Sequence, residues 1–295
     1  MQSNVPGVKQ VVKIQAEASA RHFYRLQVDK GSVVAMVYPE PNKEEIERIV
    51  RLTDVYSRHG ILVPEIERVV DDRILLLRDL GDLSFQKAFR RNDKDWRQDK
   101  LLEVGRILAA LQEIPVENTS FLLGHERMKW EMDFFLEHYM GNFAPQKLDV
   151  EDLRRRLHGL VERIEAISVF AHRDFHSRNM QVCDDRVYLV DFQDSMKAAP
   201  YYDLVSFAFD AYLELGKQRE FLLRELENVG FRIDREQYYL SALQRNIKAM
   251  GTFGFQVAEK KRLSYKKYMP RTIRHIKANP LARDILPVGI FDVFR

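Results

Sequence analysis

The chain has 295 residues, enough for one large domain or two lobes, and its 47 Lys and Arg against 44 Asp and Glu leave a formal net charge of only +3. This small excess of positive charge does not support bulk nucleic-acid binding. The single cysteine, Cys183, excludes an intrachain disulfide framework and fits a reducing compartment. The N-terminus lacks the apolar stretch of a signal peptide and no apolar run is long enough for a membrane span, so we expect a cytoplasmic protein without a membrane partner.

The first eighty residues have the pattern of short strands. Three runs rich in β-branched and aromatic residues lie at 11–16, 22–28 and 32–38. Apolar residues then recur at helical spacing over 43–59, and a second hairpin is predicted within 66–80. We therefore expect residues 1–81 to form a small antiparallel-sheet lobe.

After Gly81 the pattern becomes helical. Six segments have apolar residues at helical spacing, at 99–113, 128–139, 151–167, 201–215, 217–228 and 235–257. A strand-rich stretch at 170–192 interrupts them. The predicted fold class is therefore α+β, with residues 82–295 forming a larger helical lobe that carries one embedded hairpin.

The embedded stretch contains the most informative chemistry. It reads HRDFHSRN from His172 to Asn179, then two short strands around a turn, and ends in DFQ at Asp191. Because antiparallel pairing brings the two ends of a hairpin together, we expect Asn179 and Asp191 to be neighbours, with Asp174 on the loop just before them. Such oxygen-bearing side chains suit Mg²⁺ bound together with substrate phosphates.

These two motifs resemble the protein-kinase catalytic loop H-R-D-x-x-x-x-N and the D-F-x motif that follows it. The resemblance implies a two-lobed protein-kinase-like fold with ATP and Mg²⁺ as cofactors. Asp174 would orient the acceptor hydroxyl and accept its proton, while Asn179 and Asp191 would hold Mg²⁺ on the ATP phosphates. His172 is predicted to brace the loop.

Beyond the hairpin the sequence departs from protein kinases, because it has no A-P-E segment. The run DFQDSMKAAPYYDLVSFAFDAY instead enters a helix with Asp203 near its start. This resembles the aminoglycoside phosphotransferase and choline kinase superfamily, in which an Asp at this point braces the catalytic loop. We expect Asp203 to be structural rather than catalytic.

Several stretches resemble one subgroup, the bacterial cell-wall recycling kinases that phosphorylate the anomeric hydroxyl of N-acetylmuramate and N-acetylglucosamine. They are EASARHFYRL, LLLRDLG, HRDFHSRN, VDFQDS, YDLVSFAFDAY, LQRNIKAMGTF and YMPRTIRHIKANPLA, and the likeness runs from about residue 16 to 282. The resemblance implies an ATP-dependent sugar kinase of peptidoglycan recycling.

The nucleotide side lacks two protein-kinase features. The first hairpin, EASARHF, has no glycine, and Met36 lies on the third strand where a Lys would be sought. We expect Ser19 with the following backbone N–H groups, Arg21 and Arg25 to contact phosphate, although surface charge also explains both arginines. Met36 and Leu77, with Leu76, are candidates for an adenine site, and core packing explains them equally well.

The acceptor side is less defined. The candidates for substrate contact are Arg178, Asp194, Asp210, Arg245 and Asn246, each also compatible with a solvated or capping role. Residues 260–283 contain nine Lys and Arg and no acidic residue. That segment suits an anionic acceptor better than a polycationic aminoglycoside, although a solvated helical face is its ordinary interpretation.

Two other functions remain open. A kinase for choline or an aminoglycoside needs an acidic and aromatic acceptor site, for which Tyr201, Tyr202 and Tyr212 are available. A pseudokinase-like nucleotide-binding scaffold is favoured by the missing Lys and glycines. It is disfavoured by the presence of all three motif residues, which a scaffold does not need. The sequence indicates no oligomeric state.

Overall fold

A computed structural model describes residues 7–15, 21–144 and 148–291. The chain divides into two compact units, Met1–Arg91 with Asn179–Gln193, and Asn92–Arg178 with Asp194–Arg295. We call them the sheet unit and the helical unit. The sheet unit extends past the expected boundary at residue 81 and takes in residues 179–193, which the sequence had assigned to the helical lobe. An antiparallel sheet in the N-terminal region and helices in the C-terminal region confirm the α+β fold class.

Strands and helices alternate unevenly along the chain. In the described residues the strands are β1 Gln10–Ile14, β2 His22–Val28, β3 Gly31–Val37, β4 Ile66–Val69, β5 Ile74–Arg78, β6 Val169–Ala171, β7 Met180–Cys183, β8 Arg186–Leu189 and β9 Met196–Ala198. The α-helices are α1 Lys43–Arg58, α2 Phe85–Arg91, α3 Lys94–Glu113, α4 His125–Phe135, α5 Val150–Glu162, α6 Tyr202–Ala208, α7 Gln218–Asn228, α8 Arg235–Ala258, α9 Met269–Ala278 and α10 Ala282–Ile285.

The main sheet of the sheet unit has five antiparallel strands in the order β1-β2-β3-β5-β4. Successive side chains of a strand point to opposite faces, so the registers assign each residue to a face. One face buries a small core of Leu26, Ala35, Ile74 and Leu76. The registers Arg25↔Val34, Val34↔Leu77 and Met36↔Leu75 put Arg25, Met36 and Leu77 together on the opposite face. Leu76 therefore does not share a face with Met36 and Leu77.

The predicted hairpin at the motif is confirmed and belongs to the sheet unit. Asp184 and Asp185 form its two-residue turn with φ of +50° and +54°, the conformation that matches the twist of tightly linked antiparallel strands. The backbone N–H of Val182 donates to the Leu83 carbonyl at 2.8 Å, and that of Leu189 donates to the Leu62 carbonyl at 2.8 Å. These bonds attach both hairpin strands to the rest of the unit.

The helical unit has several departures from the predicted elements. Helix α3 begins five residues earlier than predicted, where the Asp93 side chain caps it by accepting from the Trp96 N–H. The predicted helix over 128–139 is an α-helix that continues as a π-helix from Leu136 to Phe143. The predicted helix over 201–215 ends at Ala208. Strands β6 and β9, neither predicted as part of such a pair, form a two-stranded antiparallel sheet.

Among the helices of the described residues, none has both the length and the apolar character needed to cross a membrane.

Candidate active site

In the helical unit, one carboxylate holds the backbone of the loop that follows β6. Asp203, in the first turn of α6, accepts the backbone N–H of His172 at 2.6 Å and that of Arg173 at 3.0 Å. Arg173 has φ +80°, a left-handed conformation that non-glycine residues rarely adopt. The paired N–H bonds hold that conformation in place, so the brace expected of Asp203 is present.

Asp203 is nearly inaccessible to solvent, at 6% exposure. Burial raises the pKa of its carboxyl to about 7, although the two N–H groups of His172 and Arg173 act in the opposite direction. The negative charge of Asp174 adds to the increase. The brace is therefore a group that can change protonation near neutral pH.

A second carboxylate fixes the other end of the loop. Asp210 is buried at 2% exposure, and its oxygens accept the backbone N–H of Ser177 at 2.9 Å and that of Tyr212 at 2.7 Å. The turn that this double contact makes follows soon after α6 ends. Because both oxygens are engaged by backbone, the expected substrate role of Asp210 is replaced by a structural one.

Asp174 is half-buried and lies among positive charges. Burial alone would raise the pKa of its carboxyl, but Lys248, Arg173, His176 and Arg245 together hold that pKa well below its usual range. Asp174 is therefore ionised at neutral pH, as a group that is to accept a proton from a hydroxyl must be.

Two of these cations come from helix α8, three residues apart. Arg245 donates from Nε to the Ser206 hydroxyl at 3.0 Å, and Lys248 has no direct ion-pair partner among the described residues. Burial, followed by the charge of Arg245, lowers the pKa of Lys248. Sequence reasoning proposed Arg245 and missed Lys248, although residues at i and i+3 share a helix face.

The neighbouring candidate on α8, Asn246, is not available to a substrate. Its side chain is buried at 4% exposure and donates back to the carbonyl of Ala242 at 2.7 Å. This is a local bond within the helix, so the expected acceptor role of Asn246 is withdrawn.

Arg178, the last residue of the loop in the helical unit, stacks on aromatic rings. Its guanidinium carbon lies 4.4 Å from the ring centre of Tyr212 and 5.2 Å from that of Tyr268. The His176 ring meets Tyr212 edge-on at 5.0 Å. Tyr212 therefore already has a cation of this chain on it.

The remaining acceptor candidate of the sequence, Asp194, forms an ion pair with Arg173 at 3.3 Å and is 43% exposed. Asp194 thus lies next to the H-R-D loop, and its carboxylate is already paired with Arg173.

In the sheet unit, the hairpin brings its two motif residues together as predicted. The N–H of Val190 donates to the Asn179 carbonyl at 2.9 Å, which makes Asp191 the next residue beyond the pair. Asp191 has φ +64°, and such strained backbone is a recurring feature of functional sites. Asp191 Oδ1 accepts from Arg21 at 2.7 Å and from Gln193 at 3.1 Å.

The chemistry of this donor set fits Mg²⁺. Within the described residues there is no group of three or more His, Cys, Asp or Glu that could enclose a metal ion. Mg²⁺ does not need such a cage, because it retains several waters and is usually held by one or two carboxylates together with substrate phosphates. The carboxylate of Asp191 and the amide of Asn179 match that mode of binding.

Arg21, just before β2, is the cation nearest this carboxylate. Besides Asp191, its Nη1 lies 3.4 Å from Oε1 of Glu45 and 3.9 Å from Sδ of Met36. Glu45, in the first turn of α1, was not singled out by the sequence, because nothing in a helix-start glutamate distinguishes it from an ordinary one.

Arg25, the second arginine expected at the phosphates, is committed elsewhere. Its guanidinium binds Asp79 at 2.5 and 3.0 Å and Asp82 at 3.0 Å through two nitrogens. Burial would raise the pKa of Asp79, but hydrogen bonds from Arg25 and Ser32 hold it below the usual range. Arg25 lies on the same sheet face as Met36 and Leu77, yet its guanidinium is engaged in an ion-pair network with Asp79 and Asp82.

The other nucleotide candidates differ in what the structure says of them. Met36 is buried at 3% exposure and Leu77 is half-buried on the same sheet face, which keeps both compatible with an adenine site. Ser19 lies outside the described residues.

The helical unit carries the braced H-R-D loop, and the sheet unit carries the hairpin that ends in D-F-x. These two motifs are those of a kinase-like phosphotransferase. A family model described as the phosphotransferase enzyme family matches residues 10–240. The chain belongs to this family, which confirms the resemblance found in the motifs.

Two curated relatives carry the same name. The N-acetylmuramate/N-acetylglucosamine kinase of Pseudomonas aeruginosa is 26% identical over 215 residues, which cover 71% of this chain and 62% of the relative. The chain thus spans less than two thirds of that protein. The N-acetylmuramate/N-acetylglucosamine kinase of Neisseria meningitidis serogroup B is 24% identical over 284 residues, covering 89% and 83%.

Solved structures share the fold. The AMP-bound complex of a spectinomycin phosphotransferase has a TM-score of 0.70 and 14% identity, covering 92% of this chain and 94% of that one. At this identity the likeness concerns the fold alone.

Proposed function

We propose that the chain is an ATP-dependent kinase that phosphorylates the anomeric hydroxyl of N-acetylmuramate and N-acetylglucosamine, in the cytoplasm. The observation that carries the proposal is an ionised Asp174 surrounded by cations in a braced catalytic loop. The family and the shared name of the curated relatives support it.

In this proposal Asp174 accepts a hydrogen bond from the anomeric hydroxyl and orients its oxygen toward the γ-phosphorus. The oxygen forms the new P–O bond, the bond between the γ-phosphorus and the β–γ bridging oxygen breaks, and ADP leaves. The hydroxyl proton passes to the Asp174 carboxylate. Phosphoryl transfer proceeds through a loose transition state, so positioning matters more than early proton removal.

Asn179 and Asp191 are proposed to hold Mg²⁺. When bound, the ion supplies charge neutralisation on the phosphates of ATP. Asp191 contributes a formal charge and Asn179 a carbonyl dipole, so Asp191 is expected to matter more to binding of the ion.

The charge around Asp174 favours an acceptor that carries an anionic group. Arg173 is already paired with Asp194, whereas Arg245 and Lys248 have no ion-pair partner within 4 Å among the described residues. The carboxylate of N-acetylmuramate fits such surroundings, and N-acetylglucosamine, which is neutral, is not repelled by them. A polycationic aminoglycoside would be repelled.

Three tyrosines suggested a kinase for choline or another amine. Their observed contacts argue against that function. Tyr212 is covered by the Arg178 guanidinium. The Tyr201 hydroxyl donates to the Arg232 carbonyl at 3.0 Å and accepts the Asp234 N–H at 2.8 Å. Tyr202 is buried at 2% exposure. None of these three rings presents the vacant face that a choline or ethanolamine headgroup needs.

The test is ADP release from Mg·ATP against a panel of N-acetylmuramate, N-acetylglucosamine, choline, ethanolamine and an aminoglycoside, with ³¹P NMR of the products. We expect turnover with the two amino sugars and an acid-labile sugar 1-phosphate. A stable 6-phosphate, or turnover confined to the amines, would reject the proposal. Binding of ATP without transfer to any acceptor would favour a scaffold.

Lys248→Met tests the anionic preference. Removing the cation should raise the KM for N-acetylmuramate by about 10–100-fold, the value of a charge-assisted contact, and change the KM for N-acetylglucosamine much less. Lys277→Met, which removes an exposed lysine of α9, is the matched control. Equal changes in KM for both sugars would show that Lys248 does not distinguish an anionic acceptor from a neutral one.

A further inference from the structure

We propose that Arg21 is the cation that contacts the terminal phosphates of the bound nucleotide, and that Glu45 of α1 is the residue that positions its guanidinium. The inference rests on the nucleotide-binding part of the proposed function. A kinase must neutralise phosphate charge that one Mg²⁺ leaves uncompensated, and β3 of this chain has no lysine for that purpose.

Arg21 lies beside the part of β3 where a lysine is absent. The register Phe23↔Met36 continues to His22↔Val37, so Arg21 enters the sheet beside the end of β3. Its Nη1 lies 3.9 Å from Sδ of Met36, the residue found where a lysine was sought. A long side chain from the start of β2 therefore delivers charge to the place that β3 leaves apolar.

Glu45 is itself fixed by neighbours, as a positioning residue must be. Its Oε1 accepts from the Tyr38 hydroxyl at 2.9 Å, and its Oε2 accepts from the Asn42 amide at 3.0 Å. The Arg21 side chain is only 13% exposed and that of Glu45 21%, so their 3.4 Å contact is shielded from water. An ion pair held in this way restricts the arginine to a narrow range of positions.

The second contact of Arg21 is with a residue proposed to hold the metal ion of the nucleotide. Its Nη2 donates at 2.7 Å to Asp191 Oδ1, the carboxylate proposed to hold Mg²⁺. A rotation about the side-chain bonds of Arg21 would bring the same guanidinium to phosphate oxygens bound to an ion at Asp191. The alternative source of charge, Arg25, is bound by both Asp79 and Asp82.

The experiment measures dissociation constants by calorimetry, with Mg²⁺ present and no acceptor sugar, for a non-hydrolysable ATP analogue and for AMP. Arg21→Ala should weaken the ATP analogue by about 10–100-fold and leave AMP nearly unchanged, because only ATP carries the terminal phosphates. Glu45→Gln keeps the size of the side chain and removes its charge. It should give a smaller loss with the same selectivity.

A relocated charge makes the test sharper. Because the Arg21 guanidinium lies next to Met36, a lysine at position 36 would bring its ammonium to the same region, near Glu45. The double variant Arg21→Ala with Met36→Lys should therefore recover at least tenfold of the lost ATP affinity. Met36→Lys in the wild-type background should not improve ATP binding, because the site already holds a cation.

Arg78→Ala is the matched control, since Arg78 also joins the sheet to the hairpin, through Asp184 at 3.1 Å, in the turn at the opposite end of the hairpin from Asp191. Equal weakening of ATP and AMP by Arg21→Ala, as a loosened hairpin would cause, overturns the proposal, as does wild-type ATP affinity. If Arg21→Ala does not fold, Arg21→Lys and Glu45→Gln give the same ATP-against-AMP comparison. Failure to phosphorylate any sugar while this selectivity holds would reject the acceptor assignment and leave the present inference standing.

Discussion

At the scale of single residues, opposing electrostatic effects set the state of the Asp174 carboxyl. Burial favours the neutral acid, and four neighbouring positive or ionisable groups favour the carboxylate more strongly. A carboxylate stabilised in this way is a weak base. It is well suited to orient a hydroxyl and to receive its proton late, when the new P–O bond is largely formed.

Asp174→Asn should lower kcat by about 10²–10⁴-fold while leaving the affinity for Mg·ATP nearly unchanged. The amide keeps the size of the side chain but cannot accept the proton. Steady-state kinetics with N-acetylglucosamine and calorimetry with an ATP analogue measure the two quantities. A variant with wild-type kcat would contradict the assignment of the catalytic loop.

Asp203 predicts a pH dependence of stability of definite sign. Its pKa is raised to about 7 in the folded protein, mainly by burial, so the folded state holds a proton that the unfolded state gives up above about pH 4. The contribution to stability is therefore complete below about pH 4 and is lost as the pH rises through about 7.

The free energy of unfolding of the wild type, minus that of Asp203→Asn, should decrease from about pH 4 to about pH 7 and then level off. Urea denaturation at a series of pH values measures it. Asp72→Asn, at an exposed turn, is the control for replacing a carboxylate by an amide. A rising difference would mean that the backbone N–H bonds outweigh burial at Asp203.

At the scale of elements, helix α8 approaches the end of α4 and the π-helix that continues it so closely that two glycines are required. A Cβ on Gly251 would lie 2.8 Å from Cα of Phe135, and a Cβ on Gly254 would lie 2.7 Å from the carbonyl oxygen of His138. Both obstacles are backbone atoms, which do not move aside as a flexible side chain does. The close approach fixes the helix that carries Arg245 and Lys248.

Gly251→Ala should accordingly destabilise the protein by about 1–3 kcal/mol, the usual cost of overpacking a dense interior. Gly159→Ala on α5 is the matched control, because a Cβ there meets nothing within 4 Å. It should stabilise by about 0.5–1 kcal/mol through helix propensity. Urea denaturation distinguishes the two. A neutral Gly251→Ala would show that the helices separate at little cost.

At the scale of the whole molecule, the chain passes between its units at Arg91, at Arg178 and at Gln193. No single cut therefore separates a complete sheet unit from the rest. A fragment of residues 1–91 lacks the hairpin whose strands bond to Leu62 and Leu83.

That fragment should show no cooperative thermal unfolding by circular dichroism, because the bonding groups and apolar surface left by the hairpin are exposed. A single chain joining residues 1–91 to 179–193 by a Gly/Ser linker should unfold cooperatively. Identical transitions for the two proteins would mean that the hairpin adds nothing to the stability of the unit.

The sequence by itself determined the features that depend on local pattern. Strand β2 lies at the residues predicted, and the hairpin after Asn179 forms because Asp184 and Asp185 adopt the turn between two short β-rich runs. The family was indicated by the resemblance of short stretches such as HRDFHSRN and VDFQDS to known kinases. Such features are predictable because the interactions that produce them join residues close together in the chain.

Only the tertiary structure decided which charges meet. The charge of Lys248 acts on Asp174, Glu45 lies 3.4 Å from Arg21, Arg25 is bound by Asp79, and one oxygen of Asp210 accepts the N–H of Ser177. Each of these pairs joins residues far apart in sequence, and a charged residue has no periodicity that announces its partner. The packing of whole elements sets those distances, and with them which carboxylates and cations are structural and which remain for chemistry.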